Sequence, residues 1–177
     1  MRNTFDRFNG RHQDYQAARP SYAQEFLDWL GELYAPPERY TAADIGSGTG
    51  KLSAQLLAAG FRVCGVEPNP DMRGAAEALL GGDPRFSSSN GTDHDTGLPD
   101  RSVDMVAAAQ AFHWFDGPAF ARECRRILRP GGRAVLVWNV RGSAPMNQAL
   151  AQVFREHCPS FHGFTGGMGE DDPRIRD

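Results

Sequence analysis

The chain has 177 residues, 40% of them apolar and 23% charged, and a net charge of −3. That length suits one domain with a sizeable core, and the weak negative charge leaves no footprint for nucleic acid or for an anionic membrane surface. No apolar run approaches the roughly 20 residues of a membrane span, no signal peptide is visible, and Cys64, Cys124 and Cys158 are too dispersed for a disulfide framework or a zinc site; a reduced, cytoplasmic setting is expected.

Residues 1–20 are polar with scattered aromatics, Phe5, Phe8 and Tyr15. They fit either a frayed terminus or a lid whose aromatics close over a ligand. From Ser21 to Leu33, the apolar residues Phe26, Leu27, Leu30 and Leu33 mark an amphipathic helix, with Ser21 as its expected N-cap.

Residues 41–50 read TAADIGSGTG. A short apolar run carrying Asp44 breaks into Gly46, Gly48 and Gly50, and Leu52, Leu56 and Leu57 then share one helical face until Gly60. This is a strand, a tight glycine turn and a helix. Glycines there let the chain turn sharply and let a ligand approach the main chain, while the helix start offers N–H groups to whatever sits in the turn. A phosphate-cradling P-loop is excluded, because Ile45 stands at its first glycine position and Leu52 follows Lys51. The dinucleotide fingerprint fits Gly46 and Gly48 but has Lys51 where its third glycine belongs. A plain strand-to-helix turn remains an alternative for this loop taken alone.

A second strand is expected over residues 61–67, ending in Glu67, and Asn69-Pro70-Asp71 opens a helix through Leu80. Glu67 lies 21 residues after Gly46, close to the spacing of about 20 at which a carboxylate accepts from ribose hydroxyls. The alternative is a solvated strand-end carboxylate. A weak strand follows over Arg85–Ser89, then a loop, then SVDMVAAAQ, apolar enough to be buried on both faces. A helix is predicted over Pro118–Leu128, with Arg122, Arg125, Arg126 and Arg129 as a solvated face interrupted by Glu123. RPGG turns the chain into a final apolar strand, Arg133–Val140.

Alternating strands and helices imply an α/β fold with a parallel sheet and right-handed crossovers. Asp44, Glu67, Asp93, Gln110 and Asn139 then fall at or just beyond strand ends, the edge at which such sheets bind ligands.

Together, DIGSGTG, GVEPNPDM, LPDRSVDMV, AQAFHWFD and ILRPGGRAVLVWN resemble the class I S-adenosylmethionine (SAM)-dependent methyltransferases. Within them they are similar to the small-molecule branch with an HWF motif after the fourth strand, the trans-aconitate and ubiquinone-type enzymes. The resemblance covers roughly residues 10–150, and YQAARPSY matches the segment that caps the cofactor in that branch. It implies a Rossmann-like, doubly wound parallel sheet of order 3-2-1-4-5. It also implies SAM as cofactor, S-adenosylhomocysteine as product and a small-molecule acceptor.

Position by position, the resemblance assigns Asp44, Gly46, Ser47, Gly48 and Gly50 to the methionine part of the cofactor and Glu67 to the ribose. Pro68, Asn69 and Met72 go to the adenosine surroundings, although Met72 reads equally as core filling. The loop after the third strand usually offers an acid to the adenine; here the acid is displaced to Asp93 or replaced by Thr92. Gln110 and Ala111 are expected to supply backbone contacts. His113 is the candidate general base or an orienting residue. Trp114 and Phe115 are acceptor-pocket walls or aromatic plugs. Tyr15 and Arg19 are lid candidates, and Arg19 or Arg141 would meet an acidic acceptor.

The family fold carries two further strands and a substrate-covering insertion. The expected division is therefore a lid segment over 1–20, a SAM-binding core over 21–140, and the start of a truncated cap insertion over 141–177. The last two strands are expected to be missing, leaving an apolar edge at Ala134–Val140 that invites oligomerisation. Two rival readings stay open: a non-catalytic SAM-binding fragment, and a nicotinamide-dependent oxidoreductase.

Overall fold

The computed structural model describes residues 21–139, together with Gln152 and Glu156. The chain divides into two units, Met1–Val137 and Trp138–Asp177. In the first, the described elements are helix α1 (Gln24–Leu33), strand β1 (Thr41–Ile45), α2 (Lys51–Ala58), β2 (Arg62–Val66), α3 (Pro70–Leu80), β3 (Phe86–Ser89), β4 (Val103–Ala109), α4 (Gly117–Ile127) and β5 (Leu128–Val137). In the second unit Gln152 and Glu156 are helical and bonded side chain to side chain at 3.0 Å.

The five strands form one sheet of order β3-β2-β1-β4-β5, every pair parallel. Alternate residues of each buried strand feed opposite faces. Ala42, Met105 and Ala107 join Leu30 of α1 and Leu52, Leu56 and Leu57 of α2 in one cluster. Ala43, Ile45, Val106 and Ala108 join Phe120, Cys124 and Ile127 of α4 in the other. The sheet is thus helix-covered on both sides, as its near-continuous apolar strands require. Helix α3 follows the same logic. Asn69 accepts from the amides of Asp71 and Met72, Pro70 takes the first turn, and Leu80 packs onto the first cluster.

Three expectations are corrected. Helix α1 begins at Gln24 with Ala23 as its N-cap, not Ser21. The reason is long-range: the Tyr22 amide donates to Gln55 Oε1 and Gln55 Nε2 donates to the Tyr22 carbonyl, both at 3.1 Å, which holds Tyr22 outside the helix. The RPGG turn lies inside β5, where pairing jumps from Val103↔Leu128 to Met105↔Arg133. Residues 129–132 are therefore an irregularity within the strand, with Gly131 at φ 84. The basic face of α4 is solvated at Arg122 and Arg125, yet Glu123 is buried and Arg126 folds over it.

Among the described residues β5 is one edge of the sheet and is only half-buried, with Ala134 exposed. Tyr15, Arg19, Val140 and Arg141 lie outside the described residues, so the lid and cap readings are untouched. Among the described residues no helix is long and apolar enough to cross a membrane.

Candidate functional site

The chain leaves β1 at the centre of the sheet, where the order reverses between β2 and β4 and a crevice opens past the strand ends. The amides of Gly46 and Ser47 both donate to the Val66 carbonyl, at 2.9 and 3.1 Å, so the glycine loop is stitched to the end of β2. Gly46, Gly48 and Gly50 all have positive φ, at 71, 56 and 81, but they differ in what surrounds them. A Cβ on Gly46 would stand 2.7 Å from Ala111 Cβ and 3.2 Å from the Phe115 ring. One on Gly50 would strike Leu80 at 2.8 Å, so this glycine lets α2 approach α3. At Gly48 nothing lies within 4 Å, and its missing side chain leaves open space.

That space belongs to a cleft lined by Tyr22, Gly46, Ser47, Gly48, Thr49, Lys51 and Ala109. Beside it, Glu67 is 9% exposed. Its Oε2 accepts from the Gly48 amide and its Oε1 from the Asn69 amide, both at 2.9 Å. Each oxygen retains acceptor capacity for a further donor. Burial pushes this carboxyl up, against the pull of the Asn69 and Gly48 amides and the Arg73 charge. Asp44, 1% exposed, closes β1 underneath and accepts from Ser53 Oγ at 2.7 Å. Burial pushes it up to about 6; the bonds from Ser53 oppose the rise and the Glu67 charge adds to it. Two desolvated carboxylates therefore lie beside the half-buried main chain of Gly46–Gly48, a setting for a ligand with cationic and hydroxyl groups.

Residues 43–136 match the family model described as a methyltransferase domain. The chain belongs to the methyltransferase domain family. It is 42% identical over 127 residues to an uncharacterised methyltransferase of Mycobacterium tuberculosis, covering 72% of this chain and 49% of that one. The structure matches that of a putative type II methyltransferase from Anaeromyxobacter dehalogenans at 37% identity and a TM-score of 0.63, covering 82% of this chain and 57% of that one. The [4+2]-cyclase SpnF shares the fold alone, at 23% identity and a TM-score of 0.55. The chain spans about half the length of the curated relatives it matches.

In this methyltransferase-family chain the remaining candidates separate. Asn69 spends its side-chain oxygen on capping α3, and Met72 is 3% exposed, in the interior. Pro68 sits between Glu67 and that cap, half-buried. Thr92 closes a tight loop, its amide donating to the Asp95 carbonyl and its Oγ1 accepting from the Asp95 amide. Asp93 accepts from the Asp116 amide and lies 3.1 Å from His94 Nδ1, which ties this loop to the start of α4. Gln110 has φ 56, a sparsely populated conformation for a non-glycine residue, at the end of β4.

His113 lies in the single turn Phe112–Trp114, half-buried, with its ring centroid 4.9 Å from that of Trp114. The two aromatics read together in the sequence part company. Trp114 is 47% exposed, whereas Phe115 packs on Phe112, Phe120 and the Gly46 main chain.

Sequence reasoning did not single out Ser53, Thr49 or Lys51 as candidates, and Tyr22 entered it only as the end of YQAARPSY. Lys51 was visible only as an intruder at the third-glycine position, and Ser53 carries no motif of its own. Gly65 offered a signal: a glycine inside an apolar strand points to a close approach, and its Cβ would lie 3.1 Å from Ser47 Oγ.

Proposed function

We propose that the chain binds SAM in the cleft at the end of β1 and serves transfer of its methyl group to a small-molecule acceptor, in the cytoplasm. The observation that carries the reading is Glu67: one carboxylate, held by the amides of Gly48 and Asn69, adjoins the glycine whose missing side chain leaves open space. An unphosphorylated ribose matches it as a pair of hydroxyl donors, and a 2′-phosphate would be repelled. Asp44 and Glu67 together favour a ligand bearing ammonium and sulfonium charge. Lys51, lining the cleft where a dinucleotide site needs its third glycine, argues against nicotinamide chemistry.

The cofactor, when bound, supplies a methyl carbon on a sulfonium. Asp44, Glu67 and the glycine loop would hold the cofactor, and the chemistry it would supply is transfer of that methyl group to the acceptor. The chain's contribution is to hold the two reactants at attack distance. The acceptor's proton, where it has one, passes to a base or to water; His113 is the candidate base.

Calorimetric titration with SAM and with NAD tests the reading. Saturable SAM binding is expected, and NAD binding without SAM binding would overturn it. Glu67→Ala should weaken SAM by about 1.5–3 kcal/mol, the scale of a charge-assisted hydrogen bond. Unchanged affinity would remove Glu67 from the site.

A further inference from the structure

Arg73 stands in the first turns of α3 and has no task in the motifs above. Its side chain is 20% exposed. Its Nη1 donates to the Glu67 carbonyl at 2.8 Å and to Asn90 Oδ1 at 3.0 Å, with the Pro68 carbonyl at 3.4 Å. The neighbouring Glu77, 51% exposed with its oxygen 3.8 Å from Nε, adds little at that range and exposure. The guanidinium therefore grips two strand ends at once, since Glu67 follows β2 and Asn90 follows β3. On the side-chain side of the same residue, the Glu67 carboxylate is held by Gly48 and Asn69.

We infer that Arg73 is a positioning residue for the ribose-binding carboxylate, acting by fixing the Glu67 carbonyl and tying it to Asn90. The inference rests on the cofactor reading above and extends it to a residue outside the cleft lining. A fixed carbonyl restricts the Glu67 backbone, and the backbone sets the direction in which the side chain leaves it. A carboxylate aimed in advance loses less entropy when it takes up a ligand's hydroxyls. The guanidinium charge acts in the same sense, favouring the ionised carboxylate against its burial. Lysine at this position would keep a charge but not the planar, rigid donor geometry.

The test measures affinity for S-adenosylhomocysteine and for its 2′-deoxyribose counterpart by calorimetry, in the chain as it stands and in Arg73→Met, Arg73→Lys and Asn90→Ala. The unsubstituted chain should prefer the ribose form by on the order of tenfold. That preference should collapse towards onefold in Arg73→Met and be partly restored in Arg73→Lys. Asn90→Ala should reduce it as well. A residue that merely supports the fold would weaken both ligands by one factor and keep their ratio, and that result would overturn the proposal. Should Arg73→Met fail to fold, an unchanged ratio in both Arg73→Lys and Asn90→Ala overturns it equally. If the unsubstituted chain binds neither ligand, the cofactor reading itself fails. If it binds both equally, Glu67 has no ribose role for Arg73 to support.

Discussion

Asp44 and Glu123 are both buried carboxylates, on β1 and α4, and their surroundings push them in opposite directions. Asp44 has Ser53 as its hydrogen-bond donor and Glu67 as a neighbouring charge, and burial holds it up at about 6. Glu123 accepts from the Thr96 amide and hydroxyl at 2.9 and 2.6 Å and from Arg126 at 2.7 and 2.8 Å. Arg126, first among these, holds it down at about 2. A carboxylate given a cation and two further donors supports the fold; here it locks the loop 90–102 onto α4, with Asp100 on the far side of Arg126. A carboxylate buried with a hydroxyl donor and no cation costs stability when ionised. Environment, not residue type, sets the two carboxyls apart.

The largest effect should come from breaking the structural acid. Glu123→Ala leaves Arg126 and the Thr96 hydroxyl without their shared acceptor and should cost about 3 kcal/mol, discounted from the full penalty of a broken buried pair because Arg126 is 37% exposed. Denaturant midpoints would show it. Because the folded-state value lies below the unfolded one, this support is fully present above about pH 5 and drains away as pH falls towards 2. A loss on mutation that is no smaller at pH 2.5 than at pH 7 would contradict the assignment.

Asp44 should respond with the opposite sign. Its folded-state value lies above its unfolded one, so the folded chain holds the extra proton between about pH 4 and 6, and stability falls as pH rises through that window. Asp44→Asn, mimicking the protonated form, should stabilise the chain by roughly 2 kcal/mol at pH 7 and by little at pH 4. It should weaken SAM in the same buffer at pH 7. Thermal melts across pH and one titration decide it; stabilisation without loss of affinity would take Asp44 out of the cofactor site.

The smallest change concerns the loop between the carboxylates. Gly48→Ala meets no steric obstacle, so its cost to folding should be only the left-handed strain of about 1 kcal/mol. SAM affinity should fall further than stability does, because the added methyl enters the cleft. Equal losses would reduce the loop to a turn.

Much of this was legible beforehand. Strand β1, the glycine turn, α2 and the Asn69-Pro70 start of α3 were readable because each is set by neighbours a few residues away. The place of Glu67 at the end of β2, beside the glycine loop, was readable from a spacing. What escaped was decided by partners far along the chain: Gln55 moving the start of α1, Thr96 drawing Glu123 into the interior, Ala111 and Phe115 pressing on Gly46. The β5 irregularity escaped for a related reason, since RPGG reads locally as a turn and only its pairing with β4 makes it part of a strand. The fates of Trp114 and Phe115, adjacent in one motif, turned on which of them met the Gly46 main chain.

The pair of hydrogen bonds between Tyr22 and Gln55 has a consequence for motion. It joins the residue just ahead of α1 to the middle of α2, and Tyr22 lines the cleft. Any opening that lifts the start of α1 from the sheet therefore also pulls away part of the cleft wall. Occupying the cleft then opposes that opening, and by linkage the ligand lowers the population of the open form. In amide hydrogen exchange, α1 should gain protection when the cleft is filled, although the cleft's lining contains no residue of that helix.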